Sequence, residues 1–183
     1  MELILPTIDH KQAAWDYRQE HIDCEETHIH GSGGLIHAED YESWLGKITN
    51  MRTAIQTEWV NGSTYFAFID NRIVGTIQVR HTLNDYLLKY GGHIGYGVRP
   101  SERRKGYASQ MLVLALDKYR ELGIDKALVT CDKNNIGSAK TILKNGGIFE
   151  NEYAEENGNI VTIHQRYWIT VFCKKFNTIA ITN

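Results

Sequence analysis

The sequence predicts an α/β (α+β) fold, a single domain with elements in the order β-α-α-β-β-β-α-β-α-β-β. Three observations carry that prediction. Ser63 to Asp70 and Ile73 to Arg80 are strand-like runs joined by the compact turn Asp70-Asn71-Arg72, which reads as an antiparallel hairpin. Tyr107 to Leu122 places Ala108, Met111, Leu112, Ala115, Leu116, Tyr119 and Leu122 on one helical stripe, and Gly123 stands where it ends such a helix. After that helix, strand and helix patterns alternate, and the chain closes in a second hairpin around Glu156-Asn157-Gly158-Asn159.

The remaining elements follow in order. Glu2 to Leu5 reads as a first strand, after which Asp9 can cap a helix running to about Glu20 with Ala13, Ala14, Tyr17 and His21 on one side. Gly31-Ser32-Gly33-Gly34 interrupts the stretch from Asp23 to Asp40, so a loop is expected before a helix over Tyr41 to Met51 that carries Trp44, Leu45 and Ile48. Gly91 to Val98 supplies the strand before the long helix, and Lys126 to Cys131 the strand after it. Asn134 or Asn135 can cap a helix ending at Asn145-Gly146-Gly147, and Ile148 to Tyr153 with Ile160 to Thr170 form the closing strands. The domain is assigned to residues 1–171, and the polar, unpatterned residues 172–183 to a C-terminal tail.

With 183 residues, 42% of them hydrophobic and 23% charged, the chain fits one domain with a real core. Net charge of −2 and a pI near 6.4 give no overall positive field, so neither nucleic acid nor a membrane surface is an expected partner. Three scattered cysteines, Cys24, Cys131 and Cys173, argue against a disulfide framework and fit a reducing, cytoplasmic setting. The apolar run Leu3 to Leu5 is too short for a signal peptide, and no stretch approaches the ~18 apolar residues of a membrane helix. His28-x-His30 has no further spaced ligand beside it, so no metal is expected. The four tryptophans and Cys131 read as packing residues.

One stretch points to chemistry. Val98 to Ala108 is a hydrophobic strand end running into a basic, glycine-containing turn that opens a helix. A helix start leaves about four backbone N–H groups without intrahelical partners and about half a positive charge from the macrodipole. Arg103, Arg104 and Lys105 can add to that charge, and Gly106 removes a side chain that would hold a phosphate off the backbone. The same cations also fit a solvated basic helix start, and nucleic-acid binding through Arg99, Arg103, Arg104 and Lys105 lacks a wider basic face.

Arg103-x-x-Gly106-x-Ala108 resembles the acyl-CoA pyrophosphate signature of the GNAT superfamily of N-acetyltransferases. About 27 residues after the turn, Asn135-x-x-Ser138 opens a helix that ends in Lys144-Asn145-Gly146-Gly147-Ile148-Phe149, similar to that family's second element. The element order resembles the family's over nearly the whole chain, and Gly91 to Tyr96 with the signature resembles a bacterial subgroup of it. The resemblance implies a mixed, mostly antiparallel central sheet splayed between the fourth and fifth strands, the fourth being bulged.

It also implies direct transfer of an acyl group, acetyl from acetyl-CoA, to a primary amine of a small molecule or peptide, without a metal. The backbone of Tyr96, Gly97 and Val98 would pair with the pantetheine arm, and one freed N–H would face the thioester oxygen. Arg103, Arg104, Lys105, Gly106, Tyr107, Ala108 and Ser109 would surround the pyrophosphate, while Asn135 and Ser138 serve the pantetheine arm, the helix start, or both. An ammonium must lose a proton before it can attack. His93, His81 and Glu26, in that order, are the candidate bases, and His28, His30 and Asn84 are expected to border the acceptor. Many relatives carry a tyrosine seven residues beyond the Asn as general acid. This chain has Ile142 there, and Tyr96, Tyr153 or water are the replacements considered. The departure motivates the alternative of a non-catalytic acyl-CoA-binding or regulatory module. A homodimer is expected through sheet edges or the last strands, with Tyr167-Trp168-Ile169 as a surface.

Overall fold

A computed structural model describes residues 1–53 and 59–171, so the expected tail over 172–183, with Cys173, lies outside the described residues. Seven strands make one sheet: β1 (Glu2–Ile4), β2 (Gly62–Ile69), β3 (Arg72–Arg80), β4 (Ile94–Val98), β5 (Lys126–Asp132), β6 (Ile148–Asn157) and β7 (Ile160–Thr170). Their order across the sheet is β1-β2-β3-β4-β5-β7-β6. Every neighbouring pair is antiparallel except β4 with β5, which run parallel and share the single register pair Ile94–Val129. Beyond that pair the two strands part, as the resemblance implied.

The expected bulge in β4 is not present. Its register against β3 runs without a shift from Val79–Ile94 to Gly75–Val98, and the register shifts lie instead in the β2–β3 and β6–β7 pairs. The cleft opens because β4 and β5 diverge, not because β4 buckles. β4 is also shorter than expected: residues Leu87–Gly91 coil into a π-helical turn, and Gly92, at φ 61°, redirects the chain into the strand. The β2–β3 hairpin closes on Asp70 and Asn71, both left-handed at φ 48° and 61°, so Arg72 belongs to the strand and the turn has two residues.

Helices α1 (Lys11–Asp23), α2 (Tyr41–Thr53), α3 (Tyr107–Glu121) and α4 (Ile136–Lys144) complete the fold. Asp9 does not cap α1. A 3-10 turn over Ile8–His10 precedes it, opened by Thr7, whose N–H donates to His10 Nδ1 at 3.0 Å. Ala14, Tyr17 and Trp44 pack with Phe66 and Ile73 in one core cluster. Met111, Leu112, Ala115 and Tyr119 of α3 pack with Val79, Ile94, Val129 and Ile142 in the other. Leu122 is exposed and falls outside the stripe assigned to it.

Candidate functional site

The cleft between β4 and β5 has a fixed lower end. His93 donates its backbone N–H to Leu128 O at 2.7 Å and accepts the Leu128 N–H on Nδ1 at 2.9 Å. Burial and then the Arg80 charge push its pKa down to about 4, so at neutral pH the ring is uncharged. With Nδ1 occupied, the other nitrogen carries the proton, and no lone pair is left to act as a base. The expectation for His93 as first base is therefore corrected: it joins β4 to β5 at the point where they part.

At the upper end, Tyr96 of β4 reaches across to α4, where its hydroxyl lies 2.8 Å from Ser138 Oγ. Burial pushes the phenol up to about 12 against that hydrogen bond, so it stays protonated. Cys131 of β5 shares the Ser138 hydroxyl, and burial pushes its thiol up to about 11, which keeps it an inert packing group. Ile142 is fully buried in the α3-side core beneath Gly147, so its position supplies no proton donor. Asn135, not Asn134, caps α4: its Oδ1 accepts the Ser138 N–H at 3.0 Å.

Beyond β4, the basic turn reaches α3 through Gly106 at φ 80°. Nothing lies within 4 Å of where a Gly106 Cβ would stand, so the space before the helix is open. Among the described residues, the N–H groups of Tyr107, Ala108 and Ser109 have no acceptor, the first intrahelical bond being Gln110 N to Gly106 O. The flanking cations are less available than their number suggests. Arg103 pairs with Glu26 at 2.6 Å and its Nε donates to Val98 O, while Lys105 pairs with Glu102 at 2.8 Å. Arg104, left-handed at φ 61°, has no ion pair among the described residues.

Arg99 is buried, its Nε donating to Glu20 at 2.5 Å and its other nitrogens to the carbonyls of Ile73 and Asp16. Burial alone would raise the Glu20 pKa, but its bonds to Arg99 and Ser101 hold it down to about 2. This takes Arg99 out of any phosphate-binding surface.

Glu26 is likewise corrected as a base. Its carboxylate lies between Arg103 and His21 Nδ1, the latter at 2.7 Å; desolvation opposes ionisation, but these two partners lower its pKa overall. It faces the basic turn before α3. His81 sits past the end of β3 with Nε2 3.1 Å from Ser63 Oγ, and its described contacts include none to β4 or to the 28–34 loop. Asn84 caps the π-helical turn by accepting the Leu87 N–H at 2.9 Å.

His30 lies against β4, with His28 beside it. Their rings lie 4.7 Å apart, and the loop that carries them rests on the bare backbone of β4. A Cβ on Gly31 would stand 2.3 Å from Gly95 O, and one on Gly97 2.8 Å from His30 O. Desolvation lowers both imidazole pKa values, helped by His37 at His28 and by His28 and Arg80 at His30, which keeps the rings neutral.

Opposite that loop, the π-helical turn brings a group that the sequence reading did not assemble. Tyr90 stacks at a tilt on His164, centroids 5.5 Å apart, and Glu155 accepts from Tyr86 at 2.9 Å and pairs with His164 Nε2 at 2.8 Å. Tyr153 touches Tyr90 edge-on. Between loop and turn stands Arg80. No group of three or more metal-ligating side chains occurs among the described residues, and no described helix is long and apolar enough to cross a membrane.

Residues 15–146 match the family model described as Acetyltransferase (GNAT) family. No curated protein matches the sequence. The fold is similar to that of RimL, a ribosomal L7/L12 alpha-N-protein acetyltransferase solved with coenzyme A (17% identity, TM-score 0.67, 92% of each chain covered). It is similar to the microcin C7 self-immunity acetyltransferase MccE, solved with acetyl-CoA and AMP (16% identity, TM-score 0.65, covering 92% of this chain and 91% of that one). A third likeness is to yncA from Salmonella typhimurium, solved with acetyl-CoA (10% identity, TM-score 0.65, covering 93% and 94%).

Proposed function

The chain belongs to the GNAT family of acetyltransferases, and from that premise we propose that it transfers an acetyl group from acetyl-CoA directly to a primary amine. The observation that carries this reading is the cleft itself, one register pair between β4 and β5 below and an open helix start above. The unpaired N–H groups of Tyr107, Ala108 and Ser109, with Gly106 and Arg104, suit a pyrophosphate. Arg103 and Lys105 reach it on exchanging their carboxylate partners. Above Ile94 the β5-side edge of β4 has no ladder partner among the described residues, so the backbone of Tyr96, Gly97 and Val98 suits the amides of the pantetheine arm. Related folds solved with CoA or acetyl-CoA support the donor.

In the step, the amine nitrogen attacks the thioester carbon, the C–S bond breaks and the sulfur leaves as thiolate. A β4 N–H stabilises the oxyanion as it forms. We assign the proton that meets the thiolate to the hydroxyl pair of Ser138 and Tyr96, which takes the place of a donor at Ile142. The proton leaving the amine goes to neutral His30, directly or through water, since its backbone lies against Gly97 on the acceptor side. Residues 1–171 act as the transferase unit, in the cytoplasm.

Free-thiol release from acetyl-CoA with a panel of amines tests the reading. Release that depends on both the amine and the protein is expected. CoA binding without turnover on any amine would favour the non-catalytic module.

A further inference from the structure

Arg80, the last residue of β3, is a half-buried cation with no ion pair among the described residues. Its Nη1 donates to Gly91 O at 2.7 Å and to Gly92 O at 2.8 Å, which fixes the guanidinium beneath the π-helical turn. Nη2 stands 3.7 Å from where a Cβ of Gly95 would be, and the Gly31 nitrogen stands 3.5 Å from the same point. The absence of a side chain at Gly95 thus leaves a space flanked by a guanidinium nitrogen and a backbone nitrogen.

Among the described residues no carboxylate pairs with Arg80. Glu26 is engaged by His21 and Arg103, and Glu155 by Tyr86 and His164. The titratable groups that face Arg80 are the phenols of Tyr119 and Tyr86 and the rings of His30 and His93, and none of the four is charged at neutral pH. A partly desolvated cation held only by carbonyls costs stability unless an anion completes it. The donor's phosphates do not fill that role. Arg80 is bonded to His93, just before β4, whereas the pyrophosphate turn follows Val98, a strand length of about 16 Å away.

We propose that Arg80 receives a carboxylate of the acceptor, so that the amine acetylated is that of an amino acid, its carboxylate lying between Arg80 Nη2 and the Gly31 N–H. This deepens the transferase reading and rests on it. A guanidinium binds a carboxylate through paired N–H groups, which fixes orientation as well as charge.

The test compares the common L-amino acids with their carboxamides, which keep the amine and lose the charge, as acceptors for wild type, R80Q and R80K. Amino acids are expected to surpass their amides by at least tenfold in kcat/KM. R80Q is expected to lose that preference by raising KM for amino acids tenfold or more, with amides and the KM for acetyl-CoA unchanged. R80K, which keeps a donor for the Gly91 and Gly92 carbonyls, shows the same loss in milder form and controls for folding. Equal use of amides by wild type, or an equal fall for both series in R80Q and R80K, overturns the proposal and leaves the transferase reading intact. Absence of turnover on every amine overturns the transferase reading instead. In that event calorimetric binding of the amino acids to CoA-loaded protein decides: binding abolished by R80Q supports the Arg80 site, and no binding to wild type overturns it.

Discussion

His93 and Leu128 exchange two hydrogen bonds, backbone to backbone one way and backbone to imidazole the other, so a side chain finishes the sheet just where its two parallel strands separate. The imidazole must be neutral to accept. Its folded pKa, about 4, lies below the ordinary 6.5, so the stabilisation is complete above pH 6.5 and is lost as pH falls towards 4. The span corresponds to about 3 kcal/mol. Chemical denaturation of wild type is expected to weaken across this window, and H93Q is expected to lose that slope. An activity profile between pH 6 and 8 that H93Q leaves in place would separate this joining role from a catalytic one.

The Ser138 and Tyr96 hydroxyls predict a second outcome. S138A is expected to lower kcat by about 10- to 100-fold with little change in the KM for acetyl-CoA. The α4 cap survives, because the backbone N–H of residue 138 makes that bond. Steady-state kinetics of S138A, Y96F and the double variant check it: a shared proton path gives a double variant no worse than S138A.

Arg103 and Glu26 form a pair that a pyrophosphate bound as proposed would disturb. E26Q is expected to tighten CoA binding by about two- to fivefold, since it frees the guanidinium from a partly exposed partner. The gain should vanish when R103Q is combined with it. Calorimetric titration of CoA into the four proteins measures the coupling.

Gly31 predicts the steric limit of the acceptor loop. G31A puts a methyl group against Gly95 O at a φ of 73°, so a loss of about 2 kcal/mol or more is expected on melting, together with loss of turnover. G46A, at a site with nothing near, is the control.

Much of this architecture could be read from residue patterns, because the deciding signals are local. Asp70-Asn71 forms its two-residue turn, Asn135 caps its helix and Gly123 ends another in a left-handed conformation, each by its own backbone preference. The candidate site was less legible because its contacts are long-range. Nothing in Asn84 to Tyr90 announces a π-helical turn, and the pairing of His93 with Leu128 spans 35 residues. Arg80 reads as an ordinary strand end until the turn closes over it. His21, ten residues before Gly31, takes one side of Glu26, and Arg103 the other; charge counting sees cations there but not the carboxylates that hold them. The Tyr153–His164 register was within reach, since a hairpin closed between Asn157 and Ile160 sets these residues opposite each other by simple counting.

The flat seat of residues 28–31 on Gly95 and Gly97 has a bearing on redesign. Backbone meets backbone there, with the Thr76 hydroxyl donating to His30 O, so the seam does not depend on the side chains at positions 28 and 30. If the proposed transfer holds, altered selectivity is best sought by substituting His28, with His30, the loop length and the glycines left untouched.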